Sequence, residues 1–161
     1  LIDTQMVETY TVDWYDDLIH KFDDSRKEIF TVCGSAEFVD YKPLCLNVME
    51  LLASENAMFK VVVDRDILDK DLEKIHDFFH SIHQNKLPGK VGFWKSNRKI
   101  KSHYSIYNRS IVYAEKKHSY NTEIEKRRGH LIANNPVFIE KCCEDFNKLL
   151  SHSTLIKDNF T

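Results

Sequence analysis

Two short runs of β-forming residues, "IFTVCG" at 29–34 and "MFKVVVDRD" at 58–66, bracket a segment with helical periodicity, and this order constrains the chain more than any other feature. In the intervening "YKPLCLNVMELLASEN", Leu44, Val48, Leu51 and Leu52 recur at helical spacing and Pro43 falls in the first turn. Strand, helix and strand in that order predict a right-handed parallel βαβ unit. A second helix follows in "DKDLEKIHDFFHSIHQN", with Leu68, Leu72, Ile75, Phe79 and Ile82 on one face, and "LPG" ends it before a third strand, "KVGFWK".

The segments "HYSIYN" and "SIVYAE" alternate in polarity around Asn108-Arg109 and predict a hairpin with a two-residue turn. That register sets Tyr104 and Ile106 against Tyr113 and Ile111 as one apolar side. Residues 116–129, "KKHSYNTEIEKRRG", read as a surface loop. The closing helix is capped by Asn135, has Pro136 at its first position, and places Ile139, Cys142, Cys143, Phe146, Leu149 and Leu150 on its apolar face. Upstream, "TVDWYDDLIHKF" predicts an amphipathic helix over about 10–24, carrying Trp14, Leu18 and Phe22. The expected fold is α/β: a mixed, mostly parallel sheet with helices on both faces behind an N-terminal helix. At 161 residues the chain is expected to be a single domain over 1–161, with the α/β core at about 28–152.

No apolar run is long enough for a membrane helix, so no membrane contact is expected within this segment. The chain starts at Leu1 rather than Met, which suggests a piece of a longer protein with further domains. Cys33, Cys45, Cys142 and Cys143 lie in apolar segments without CxxC spacing and are read as buried, reduced thiols, favouring a cytoplasmic location. Residues 1–94 hold 10 Lys and Arg against 18 Asp and Glu, whereas residues 95–161 hold 13 against 7. Such asymmetry marks an anion-binding face unless the fold intermixes the two halves.

Candidate chemistry is sparse. The helical "HDFFHSIH" places His76, His80 and His83 near one face, but Asp stands where a zincin needs Glu, and no metal or other cofactor is assigned. "CGSAE" offers Gly34 and Ser35 at a strand end, where ligands enter open α/β sheets, without the further glycines of a nucleotide loop. Lys95, Arg98, Lys99, Lys101, Arg127 and Arg128 are candidate anion contacts, with Tyr104, Tyr107, Tyr113 and Tyr120 near them in sequence.

The order of elements across about residues 10–152, with the strand at His103 and the closing "NNPVFIEKCCEDFNKLL", resembles one half of the phospholipase D-like fold. Carried over from that family's HxK(x)4D pattern, the nucleophilic His is His103, the phosphate-binding Lys falls on Ser105, and the orienting Asp falls on Ser110. Both charged members are missing. The chain is thus similar to a degenerate half domain of the kind found at the C-termini of archaeal TrmB-type regulators and archaeal sensor kinases. The resemblance implies a non-catalytic sensor or regulatory module that binds a small-molecule or anionic effector. Gly34, Ser35 and Ser105 stand as candidate ligand contacts, and a homodimer through exposed Trp14 or Phe22 is expected because two-fold dimers are the commonest assembly. The alternative is a dimeric phosphodiesterase or nuclease using His103, with Lys101 or Arg109 in place of the missing Lys. A second alternative is nucleic-acid binding through the basic C-terminal region.

Overall fold

The computed structural model describes residues 5–14, 27–119 and 121–160. Eight strands form one mixed sheet: β1 (Gln5–Tyr10), β2 (Lys27–Cys33), β3 (Ala57–Val63), β4 (Lys90–Ser96), β5 (Tyr104–Tyr107), β6 (Ile111–Glu115), β7 (Arg128–Ala133) and β8 (Ser153–Asp158). Their order across the sheet is β1-β7-β6-β5-β2-β3-β4-β8. The helices are α1 (Glu37–Asp40), α2 (Lys42–Leu52), α3 (Asp69–Gln84) and α4 (Pro136–Ser151), with a 3-10 turn at Ile124–Lys126.

The expected βαβαβ series is present, since β2 pairs in parallel with β3 and β3 with β4. The sheet is mixed as expected, but its parallel part is confined to those three strands; the other five pairings are antiparallel. Central strand β2 is buried on both faces, which explains why it reads as a continuous apolar run. Ile29 packs on the side of α2 and α3 with Leu44, Val48, Ile75 and Phe78, and Phe30 and Val32 pack on the side of α4 with Ile139, Cys143 and Phe146. Helices therefore cover both faces. Asn135 caps α4, its side-chain oxygen accepting from Phe138 N at 3.2 Å, and Pro136 opens the helix.

Several expectations need correction. Strands β1, β7 and β8 were not foreseen. Each is short, and β7 begins inside the basic run that reads as loop, so Arg128 and Gly129 are strand residues. The hairpin turn does lie at Asn108-Arg109, both with positive φ, and Ser110 N donates to Tyr107 O. Tyr107 then pairs with Ile111, Ile106 with Val112, Ser105 with Tyr113 and Tyr104 with Ala114. The register is one residue off the expected one, and a one-residue slip moves partners to opposite faces. Tyr104 and Ile106 belong to the α4 side, whereas Tyr107, Ile111 and Tyr113 belong to the α2/α3 side.

The N-terminal helix is described only at residues 11–14; Leu18 and Phe22 lie outside the described residues. Trp14 is fully buried and stacks on Tyr113, with ring centroids 5.8 Å apart, so it is a core residue and not an exposed dimer contact. Charge asymmetry between the chain halves is largely spent within the fold. Glu8 pairs with Lys116 and Arg128, Glu28 with Arg109, and Asp64 with Lys99, each joining an acidic N-terminal residue to a basic C-terminal one.

Candidate ligand cleft

A cleft of about 490 Å³ opens beyond the carboxyl ends of β2 and β3 on the α2/α3 side of the sheet. Gly34 and Ser35 line it at the end of β2, as the sequence suggests for an open α/β sheet. Asp64 and Asp66 border it just after β3, and Asp71 and Lys74 come from the first turns of α3. Ser105 and Tyr113 face it from the hairpin, and His103 and Glu115 stand opposite each other at the hairpin's open end, where Glu115 N donates to His103 O at 3.0 Å.

His103 is held on two sides. Its Nδ1 lies 3.8 Å from Glu115 Oε1, and the opposite ring edge rests over Gly34, where an added Cβ would approach Cε1 to 3.2 Å. Glu115 Oε1 also receives His118 Nε2 at 2.7 Å. Burial alone would raise the Glu115 carboxyl, but the adjacent His103 and the hydrogen bond from His118 outweigh that and leave it below the ordinary carboxylate range. A carboxylate depressed in the folded state adds stability above its unfolded pKa of about 4.3 and loses it as pH falls through the folded value. Glu115→Gln is accordingly expected to flatten the acid limb of the stability profile below about pH 4.5, measured by urea unfolding at successive pH values. An unchanged acid limb would show that the carboxylate gains nothing from the two imidazoles.

Ser105 is buried at 4% exposure, and its Oγ lies 3.0 Å from Thr31 Oγ1. Ser110 sits in the turn and donates to Tyr107 O, away from His103. Tyr113 is pushed up to about 12 by burial, and its hydroxyl meets Thr11 Oγ1, closing the floor of the cleft. The cations at the rim are largely occupied: Lys99 Nζ lies 3.2 Å from Asp66 and 3.4 Å from Asp64, and Lys74 Nζ lies 2.6 Å from Asp40.

Of the residues singled out from sequence, Gly34, Ser35, Lys99, His103, Ser105 and Arg127 converge on this cleft. Lys95, Arg98, Lys101 and Arg128 do not line it. Lys95 lies on β4 between Val63 and Thr154, Arg98 and Lys101 are exposed in the loop before β5, and Arg128 stacks on Tyr10 at the β1 edge. Arg109, offered as a substitute cation, binds Glu28 at 3.0 Å at the opposite end of the hairpin. His76, His80 and His83 border a separate hollow between α3 and β8. Among the described residues no three His, Cys, Asp or Glu side chains are grouped to hold a metal ion.

Glu115, His118 and Thr31 went unremarked in the sequence. Residues 103 and 115 face each other only with the three-residue connection between Tyr107 and Ile111; the expected tighter register sets Ala114 there instead.

No protein-family model and no curated protein sequence matches the chain. Solved structures do. Nuc from Salmonella typhimurium, a phospholipase D family member, matches with a TM-score of 0.57 at 11% identity over 99% of this chain and 100% of its own. Phosphatidylserine synthase from Haemophilus influenzae Rd KW20 matches with a TM-score of 0.66 at 10% identity, over 96% of this chain and 40% of its own. The chain has the phospholipase D-like fold. TrmBL2, an archaeal chromatin protein with a novel mode of DNA binding, shares it with a TM-score of 0.54 at 8% identity, over 94% of this chain and 53% of its own. In this chain His103 stands immediately before β5. Ser105, two residues on, is a buried hydroxyl, and the Glu115 carboxylate from β6 faces the imidazole. Among the described residues no helix is long and apolar enough to cross a membrane.

Proposed function

We infer that the chain is a non-catalytic sensor or regulatory module of a larger protein, and that a small effector binds in the cleft beside His103. The observation that carries this reading is the state of Ser105. A phosphodiester under attack needs a cation at its non-bridging oxygens, and electrostatic stabilisation of that kind is commonly the largest catalytic contribution. Ser105 supplies no charge and is turned to Thr31, while Lys99 and Lys74 are committed to carboxylates. The cleft retains what recognition needs: hydroxyls, imidazoles and paired charges around an apolar floor, in a volume suited to a metabolite.

Two assays test this together. Thermal unfolding against a metabolite panel is expected to yield a ligand that raises Tm by roughly 5–10 °C near 100 times its Kd, since such occupancy adds about 2.7 kcal/mol. Incubation with nucleic acids and aryl phosphodiesters, with and without divalent cations, is expected to give no cleavage. Cleavage abolished by His103→Ala, or a phosphorylated His103 trapped from a diester, would replace this reading with the phosphodiesterase one. That second reading has a specific support in the imidazole itself, which is 37% exposed to the cleft and backed by Glu115. Nucleic-acid binding through the basic C-terminal region has less support, because several of those cations are paired within the fold.

A further inference from the structure

A second hollow, of about 650 Å³, lies between α3 and β8 and shares no lining residue with the cleft beside His103. Its size is that of a small-molecule site. Phe79 and Ile82 of α3 form its floor at 6% and 3% exposure, and Leu87, just after the helix, adds a half-buried apolar side chain. The floor is apolar because α3 turns the stripe of Ile75, Phe79 and Ile82 toward the sheet, while His76, His80 and His83 stand exposed along its border. One wall is fixed. Asn159 Oδ1 accepts from Val91 N at 2.7 Å and its Nδ2 donates to Gly89 O at 3.0 Å, so this amide is committed to the backbone.

The cations of the rim are not committed in that way. Lys86 follows α3 and Lys157 stands on β8, both exposed, and neither is paired with a carboxylate among the described residues. The cleft beside His103 differs, because Lys99 and Lys74 are tied there to Asp64, Asp66 and Asp40. Lys157 Nζ lies 5.8 Å from the centre of the Phe79 ring, which sets its charge above the apolar floor. Among the described residues lining the hollow, Asp158 carries the only carboxylate, and its Oδ1 accepts from Phe160 N at 3.4 Å.

An apolar floor beneath unpaired ammonium groups is complementary to an amphiphilic anion. We propose that this hollow is a second binding site, for a small organic acid with an apolar body and a single carboxylate. The body covers Phe79, Ile82 and Leu87, and the carboxylate meets Lys86 and Lys157. An ammonium is a compact charge that takes a carboxylate without fixed geometry, so the floor rather than the lysines selects the body. The site stands apart from the reading of the cleft beside His103.

Titration of the isotope-labelled chain with 1-naphthoate, 1-naphthalenemethanol, 1-naphthylmethylamine and acetate at pH 7.5 tests this, amide shifts giving both the location and the Kd. 1-Naphthoate is expected to bind about tenfold more tightly than the neutral alcohol and more tightly still than the amine, with shifts over residues 76–87 and 157–159. Acetate, which leaves the floor uncovered, should bind at least about tenfold more weakly than 1-naphthoate. Exposed ion pairs contribute about 1.5- to 5-fold each, so Lys86→Gln with Lys157→Gln should weaken 1-naphthoate about tenfold and leave the alcohol within about twofold. Added salt should weaken the acid alone. Shifts centred on Gly34, Ser105 and Glu115, equal affinity for acid and alcohol, acetate as tight as 1-naphthoate, or an unchanged Kd in the folded double variant each overturns the proposal. So does the absence of binding by 1-naphthoate. Anionic vesicles that retain the parent but not the double variant would, in that last case, assign the two lysines to a membrane surface instead.

Discussion

Trp14→Ala is expected to destabilise the protein by about 3–5 kcal/mol, the usual range for truncating a buried Trp or Phe. Trp14 has no exposed surface and lies nearly parallel to Tyr113, 11° between ring planes. Next to it Thr11 meets the Tyr113 hydroxyl, and Thr11 N donates to Arg127 O at 3.0 Å. The first turn of the N-terminal helix is thereby fastened to the hairpin that carries His103 and Glu115. Removing the indole leaves a cavity against Tyr113, and the cost combines lost burial with the void left behind. Urea unfolding of parent and variant measures it, and Trp14→Phe should recover more than half of the loss. If Trp14→Ala instead costs under about 1 kcal/mol and shifts a dimer to monomer in sedimentation, the indole belongs to an intersubunit contact after all.

How much of this was legible in the sequence follows from which signals are local. The βαβαβ core was readable because β2 is buried on both faces and β3 ends in the consecutively buried Val61, Val62 and Val63, so both show as short β-branched apolar runs. Helices α2, α3 and α4 were readable because their buried residues repeat at helical spacing, and α4 carries its own cap and Pro. Strands β1 and β8 were not, because each lies at an edge of the sheet with a largely exposed pattern, as Met6, Val7 and Leu155 show. What makes "QMVETY" and "STLIKD" strands is the neighbour each pairs with, and that neighbour is remote in sequence.

The cleft suffered most from a single residue of register. Asn108-Arg109 was correctly placed in the turn, yet Asn and Arg at positive φ followed by Ser110 close a three-residue connection. The missing offset conceals the pairing of 103 with 115, and with it the carboxylate that both imidazoles share. A group that orients an imidazole need not come from the same strand. Cross-strand neighbours bring side chains as close as neighbours on one helix face do.

Phe93→Ala is expected to be as costly as Trp14→Ala, about 3–5 kcal/mol, and to reach the cleft as well. Phe93 is fully buried on β4, where its ring lies 5.9 Å from Phe38, 6.0 Å from Phe78 and 5.9 Å from Phe79. Phe78 and Phe79 belong to α3, so this one ring supports α3 against the sheet. Phe38 belongs to α1 and lines the cleft. Truncation removes stacked and edge contacts with all three rings, each worth about 0.5–1.5 kcal/mol beyond the area buried. At a urea m-value of about 2 kcal/mol/M, the midpoint should fall by roughly 1.5–2.5 M. Any ligand found for the cleft should also bind the folded variant more weakly, because Phe38 loses the ring behind it. Phe93→Leu keeps much of the volume and should cost well under half as much. Equal losses for Leu and Ala would show that aromatic ring geometry, rather than filled volume, holds the cleft wall in place, and this distinction separates a packed support from a directional one.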